Sequence, residues 1–237
     1  MHATSDGQER AVLLHVRPFG ESGHIFEWLG EQHGRFATLA KGKKWRQNCQ
    51  PCLLYAIAWR GMGELPRLVR ADLEGPMITL VGEQLYCALY MNELLLKLTE
   101  RWTCLDDMLF NYLSTLEHIR HGALALGLRQ FEWKLLESLG YGLDQVDSRG
   151  VKLKPDNYYV WLPEKGLTPT QDDKQGVPGN VIVSLLAERW DDAVALAARR
   201  LNFARIQYLL KGRSLHSREM LRKYWLEKKQ GERGDDR

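Results

Sequence analysis

Five short runs with a two-residue apolar–polar period fill about the first 75 residues, and no helical repeat interrupts them. Ala11–Val16 sets Val12, Leu14 and Val16 against Leu13 and His15, and it stops at Pro18. His24–Leu29, Arg35–Ala40, Leu53–Arg60 and Arg67–Leu73 follow, separated by Phe19–Gly23, by Gly30 and by Gly61-Met62-Gly63. Pro66 belongs at the start or on the edge of the fifth run, because proline donates nothing to a ladder. Short strands in this number, without a long helix among them, predict a small closed antiparallel barrel. The five-stranded oligonucleotide-binding barrel (OB-fold) is one such design, and it binds strands through a face and adjoining loops.

After Gly75-Pro76 the period changes. Glu83–Glu100 carries Leu85, Leu89, Leu94, Leu95, Leu96 and Leu98, an apolar face broad enough for a central helix. Asp106 is a capping candidate for a second helix, with Leu109, Tyr112, Leu113 and Leu116 on one side. A third spans Ala123–Leu139 with Leu124, Leu128, Phe131 and Leu135 aligned, and Gly140-Tyr141-Gly142 closes it. Residues 144–179 are rich in Pro, Gly and Asp, with a hairpin expected over Lys152–Leu162. Two helices follow, from Val181 and from Asp191 to Leu210, and Ser217 is a cap candidate for a last one through Lys228. The expected architecture is α+β: an OB barrel over residues 1–78, a mainly helical domain over 79–229 with a small irregular/β insertion, and a disordered tail over 230–237.

The third strand passes directly into Lys41-Gly42-Lys43-Lys44-Trp45-Arg46. Cations around a planar aromatic suit a flexible polyanion, with charges for phosphates and an indole for a base. A solvated barrel rim is the alternative reading. Arg17, Arg35 and Arg60 flank the strands at their ends, either extending the track or serving as rim charges. A second cluster, Arg199, Arg200, Arg205, Lys211, Arg213, Arg218, Arg222 and Lys223, is interleaved with Tyr208, Tyr224 and Trp225. It reads either as the wet face of a bundle or as further polyanion contacts. With a net charge of only +3, any such site comes from local clustering.

Other function classes find little support. No apolar run approaches the roughly 20 residues of a membrane span, and Met1–Arg10 lacks the apolar core of a signal peptide, so a cytoplasmic setting is expected. There is no GxxxxGK[ST], HExxH or GxSxG. Cys49-Gln50-Pro51-Cys52 invites zinc or redox chemistry, but Cys87 and Cys104 stand apart from it, and buried reduced thiols are the favoured reading. No metal, cofactor or catalytic group is expected. The chain reads as a binding protein.

With these residues in place, the chain resembles the bacterial recombination mediator family RecO. The likeness is carried by Leu14-His15-Val16-Arg17-Pro18, Gly34-Arg35, Ala40-Lys41-Gly42, Gln50-Pro51 and Gly61-Met62-Gly63-Glu64-Leu65. It continues in Leu89-Tyr90-Met91-Asn92-Glu93-Leu94, in Leu128-Arg129-Gln130-Phe131-Glu132 and in Leu139-Gly140-Tyr141-Gly142. The resemblance implies binding of single- and double-stranded DNA, strand annealing and, with RecR, help in loading RecA onto strands coated by single-stranded DNA-binding protein (SSB). It implies docking of the SSB C-terminal tail on the helical domain, where Arg129 matches a basic position beside Leu128 and Phe131. It also implies association with the nucleoid. Many family members carry a four-cysteine zinc site after the Leu-Gly-Tyr motif; here Val146, Asp147 and Ser148 occupy that region, so that site cannot form. The DNA-contact set expected from the residues is Arg17, Arg35, Lys41, Lys43, Lys44, Trp45, Arg46, Lys211, Arg213, Arg218 and Arg222. Two other classes compete with the mediator: an adaptor for acidic peptide tails, and a thiol enzyme using Cys49 and Cys52.

Overall fold

The computed structural model of the chain describes residues 6–75 and 77–234, with the side chains of residues 43, 44, 46, 225 and 228–234 outside that description. In chain order the elements are β1 (Gly7–Phe19), β2 (Gly23–Gly30), β3 (Gly34–Lys41), α1 (Lys43–Asn48), β4 (Leu54–Arg60), β5 (Arg67–Leu73), α2 (Glu83–Leu98), α3 (Met108–Arg120), α4 (Leu124–Ser138), β6 (Tyr158–Leu162), β7 (Gly166–Thr170), β8 (Val177–Pro178), α5 (Gly179–Leu186), α6 (Asp192–Leu210) and α7 (His216–Gly234). They gather into two compact units. One runs to Gly122 and takes back the chain from Leu215 onward; the other is Ala123–Ser214.

In the first unit the strands close into a barrel of order β1-β2-β3-β5-β4, with β1 returning to pair with β4. Every pairing is antiparallel except β3 with β5. This closed five-stranded barrel is compatible with the OB-fold expected from the five runs. Alternate residues point inward, so Leu13, Phe26, Trp28, Phe36, Tyr55, Ile57, Trp59 and Leu68 fill the interior. Each such burial contributes about 1.5–3 kcal/mol. Trp28 keeps its indole N–H satisfied inside by donating to Thr38 Oγ1 at 2.9 Å.

In this unit α2, α3 and α7 cluster with the barrel. A buried polar joint is the reason. Between Leu13 and His15 the register of β1 slips, and Leu14 presents its carbonyl to α2. Asn92 Nδ2 donates to that oxygen at 2.9 Å, and Tyr112 of α3 donates its hydroxyl to Asn92 Oδ1 at 2.5 Å. Helix α7 is tied to α2 by Glu93, whose carboxylate accepts the backbone N–H groups of His216 (3.0 Å) and Ser217 (2.9 Å) and the Ser217 hydroxyl (2.6 Å). Ser217 therefore gives its hydroxyl to a neighbouring helix instead of capping its own. Nor does Asp106 cap α3, which starts behind Asp107 with no side-chain cap bond. Asp191 does cap α6, accepting from Val194 N at 2.7 Å.

The second unit packs α6 against α4 and α5, with a sheet of order β7-β6-β8. Trp133, Tyr159, Ile182, Leu185 and Leu201 lie in its core. The hairpin expected over Lys152–Leu162 lies further along, as β6 and β7. Asp147 displaces it: its carboxylate accepts Arg149 N at 2.9 Å and Val151 N at 3.2 Å, curling residues 147–151 into a loop that leaves Lys152 in a lone bridge with Val146. At the end of the chain α7 continues to Gly234, past Gln230, where disorder was expected; residues 235–237 lie outside the described residues.

Candidate nucleic-acid interface

The expected basic loop is a short helix, α1, entered through Gly42 at φ 101, a backbone conformation that favours glycine. Gly42 N donates to Ser22 O at 3.0 Å, which sets the start of α1 beside the β1–β2 turn. The side chains of Lys43, Lys44 and Arg46 lie outside the described residues. Trp45 is half-buried and packs against the barrel core, so the indole expected to stack on a base is engaged by the protein's own interior.

The strand register assembles a cation row that the sequence does not display. Arg17 of β1 pairs with Ile25, Ile25 with Leu39, Leu39 with Arg67 of β5, and Arg67 with Arg60 of β4. Directly opposed residues share a face. Their neighbours Phe26, Ala40, Leu68 and Trp59 point into the barrel, so the row lies outside. One step toward the sheet end, Phe19 pairs with Gly23 and Gly23 with Lys41, on the same outer face. At about 4.8 Å per strand, Arg17 and Arg67 stand about 14 Å apart, with Arg60 about 5 Å further on. Arg17, Lys41, Arg60 and Arg67 are all exposed. Asp6 reaches Arg60 at 3.9 Å, but with the arginine side chain 76% exposed that pair is solvated and weak. Exposed cations gathered on one face suit the phosphates of a nucleic-acid strand.

Arg35 leaves the expected set. Its side chain is only 12% exposed, and its guanidinium donates to Glu27 Oε2 at 3.1 Å, to Thr99 Oγ1 at 3.1 Å and to Thr99 O at 2.7 Å. Arg101 holds the other Glu27 oxygen. Burial lowers the Arg35 pKa from its ordinary value, with the Glu27 carboxylate opposing. This arginine binds the α2–α3 connection to β3; it faces no solvent strand.

The second cluster is divided between the units. In the second unit Arg205 is fully buried, donating to Tyr141 O at 2.7 Å and to Asn202 Oδ1 at 2.7 Å, over the Trp133 ring at 5.0 Å. Burial pulls its pKa down to about 10. Arg213 donates to Leu210 O at 3.0 Å and so closes the end of α6, while Lys211 is exposed in the left-handed C-cap position. In the first unit Arg218 lies over the Tyr90 ring at 5.1 Å and donates to its hydroxyl at 3.0 Å; Arg222 is exposed. Lys211, Arg213 and Arg222 thus face solvent, Arg213 while bonded to the end of α6, whereas Arg205 is buried and Arg218 packs on Tyr90.

Comparison with known proteins converges on one family. The family model described as recombination protein O, C-terminal, matches residues 81–209. The chain is 33% identical over 223 residues to a DNA repair protein RecO of Methylococcus capsulatus, covering 90% of this chain and 92% of that one. It is 34% identical over 230 residues to a DNA repair protein RecO of Serratia proteamaculans, covering 92% and 95%. The chain belongs to the RecO family of DNA repair proteins.

The RecO resemblance implies a tail-docking site at Leu128, Arg129 and Phe131. Leu128 and Phe131 are buried in the second unit. Arg129 is 16% exposed and pairs at 2.9 Å with Glu132, which is fully buried. Asn202 Nδ2 holds the same Glu132 oxygen at 3.2 Å and the Arg129 carbonyl at 3.1 Å. The i, i+3 spacing suggested a surface pair; α6 covers it. Cys49 and Cys52 are buried, and burial pushes the Cys49 thiol up to about 11, so it holds little thiolate at neutral pH. Among the described residues no group of His, Cys, Asp and Glu side chains is arranged to hold a metal ion, and no helix is long and apolar enough to cross a membrane.

Arg67 and Phe19 are the residues that the sequence reading missed. Arg67 follows Pro66 as an ordinary strand-end charge, and only the parallel β3–β5 pairing brings it beside Leu39. Phe19 sits in what reads as a turn, and its signal was there: Arg17 and Phe19 continue the two-residue alternation past Pro18.

Proposed function

We propose that this RecO-family chain is a DNA-binding recombination mediator that works by binding, without catalysis. On this reading the outer face of the OB barrel holds DNA, single-stranded and double-stranded, through Arg17, Lys41, Arg60 and Arg67, with α1 beside them. The in-register row of exposed cations is the observation that carries the reading. Neutralising charge along a strand lets the protein hold two complementary strands close together despite their repulsion, which is what annealing requires. With RecR, the protein would help load RecA onto SSB-coated single strands, acting in the cytoplasm at the nucleoid. The SSB C-terminal tail is its expected protein partner.

The test is annealing of complementary SSB-coated strands, followed by RecA loading with RecR present. The wild-type protein is compared with a variant carrying Ala at positions 17, 41, 60 and 67. The proposal expects the wild type to support both steps and the variant to lose annealing while keeping its fold. Annealing at the wild-type rate by the folded variant would remove the barrel face from the mechanism.

A further inference from the structure

Phe19 is an exposed aromatic on the outer barrel face. We propose that Phe19 is the base-stacking residue of this site and sets its preference for single strands; the inference rests on the outer barrel face being the DNA interface. Trp45, the aromatic that sequence pattern favours for stacking, is packed on the barrel core. Phe19 is not: it stands at the end of β1 and is 48% exposed. Arg17, two residues back on the same face, lies about 7 Å away, and Lys41, two strands across in the same row, about 10 Å away. The residue opposite Phe19 is Gly23, which has no side chain to screen the ring from the β2 side. A half-exposed flat ring framed by two cations is the arrangement that holds a single strand, phosphates on the charges and one base on the ring. In a duplex the base faces are already stacked on each other, so the ring has nothing to receive. The cations bind both forms, and Phe19 favours one.

Three ligands of equal length separate the effects: oligothymidylate, a strand of abasic sites, and a duplex. Phe19→Ala is expected to weaken oligothymidylate binding about 10- to 100-fold, from loss of one stacked base. Its salt dependence should not change, and neither should its affinity for the abasic strand or the duplex. Phe19→Trp should restore oligothymidylate binding and, through its indole fluorescence, be quenched by that strand but not by the abasic one. Wild-type affinity of Phe19→Ala for oligothymidylate overturns the inference, as does an equal loss on all three ligands. If Phe19→Ala fails to fold, the Phe19→Trp quenching decides alone: quenching by the abasic strand, or by neither strand, rejects stacking. The underlying reading fails separately. A salt slope unaffected by neutralising Arg17, Lys41, Arg60 and Arg67 removes the barrel face as the DNA site. A shallower slope with a neutral Phe19→Ala removes only the stacking.

Discussion

At the scale of single residues, the arginines of this chain show how little a charge says about its use. Arg17, Arg60 and Arg67 lie at or near strand ends on the outside of the barrel, and water or a phosphate can reach them. Arg35 is spaced like them in sequence, but Glu27 and Thr99 take its donors. Arg35→Ala should therefore cost about 1–3 kcal/mol of stability, since Glu27 keeps only Arg101 in a largely buried site. A urea melt and a DNA salt titration on the same sample check this: the midpoint should fall and the slope should not. Arg129→Ala should behave likewise, costing about 1–3 kcal/mol because Glu132 has no exposed surface and would lose its paired guanidinium. A normal urea midpoint for Arg129→Ala would mean that Glu132 finds solvent or a proton without it. The thiols give a third check. Cys104 is exposed while Cys49 and Cys52 are buried, so an aromatic disulfide reagent should label the native chain at Cys104 first.

At the scale of elements, what joins α7 to the barrel unit is a carboxylate. Burial by itself would raise the Glu93 pKa, but donors from Lys97, Ser217 and His216 outweigh it and hold the carboxyl down at about 2. A depressed carboxylate stabilises the folded state above its unfolded pKa, near 4.3 for glutamate, and that contribution is lost as pH falls from there toward 2. The Glu93→Gln variant should be about 1–2 kcal/mol less stable than wild type at pH 7. The gap should narrow at pH 3; an equal gap at both values would show that charge plays no part in the anchor. The five runs of alternating side chains made the strands legible, because the barrel has an inside and an outside and the period records it. The closure was legible only as a class. The contact of β3 with β5 rests on Leu39 and Arg67, residues whose own neighbours say nothing of each other. Helix α1 was hidden for a different reason: its cations and glycine carry the composition of a loop, and only Trp45 turned onto the core marks an inward face.

At the scale of the whole molecule, the order of elements was readable and their grouping was not. Helix α7 is the last element in sequence and belongs with the first unit through Glu93, a residue 123 positions before His216. No local pattern reports a contact of that range. The candidate site shares this property, since its cations come from β1, β3, β4 and β5 and become a row only when the barrel closes. Lys41 and Arg17 stand in the contact set expected from the sequence, Arg60 reads there only as an extension of the cationic track or a rim charge, and Arg67 is not in it. The measurement that bears most directly on this account is the log–log dependence of single-strand affinity on salt. The wild type is compared with the variant carrying Ala at positions 17, 41, 60 and 67. Four phosphate contacts at ~0.7 each predict a slope shallower by about 3 in the variant. A folded variant with the wild-type slope would contradict the account, and the row would then be the solvated rim of a barrel that binds DNA somewhere else.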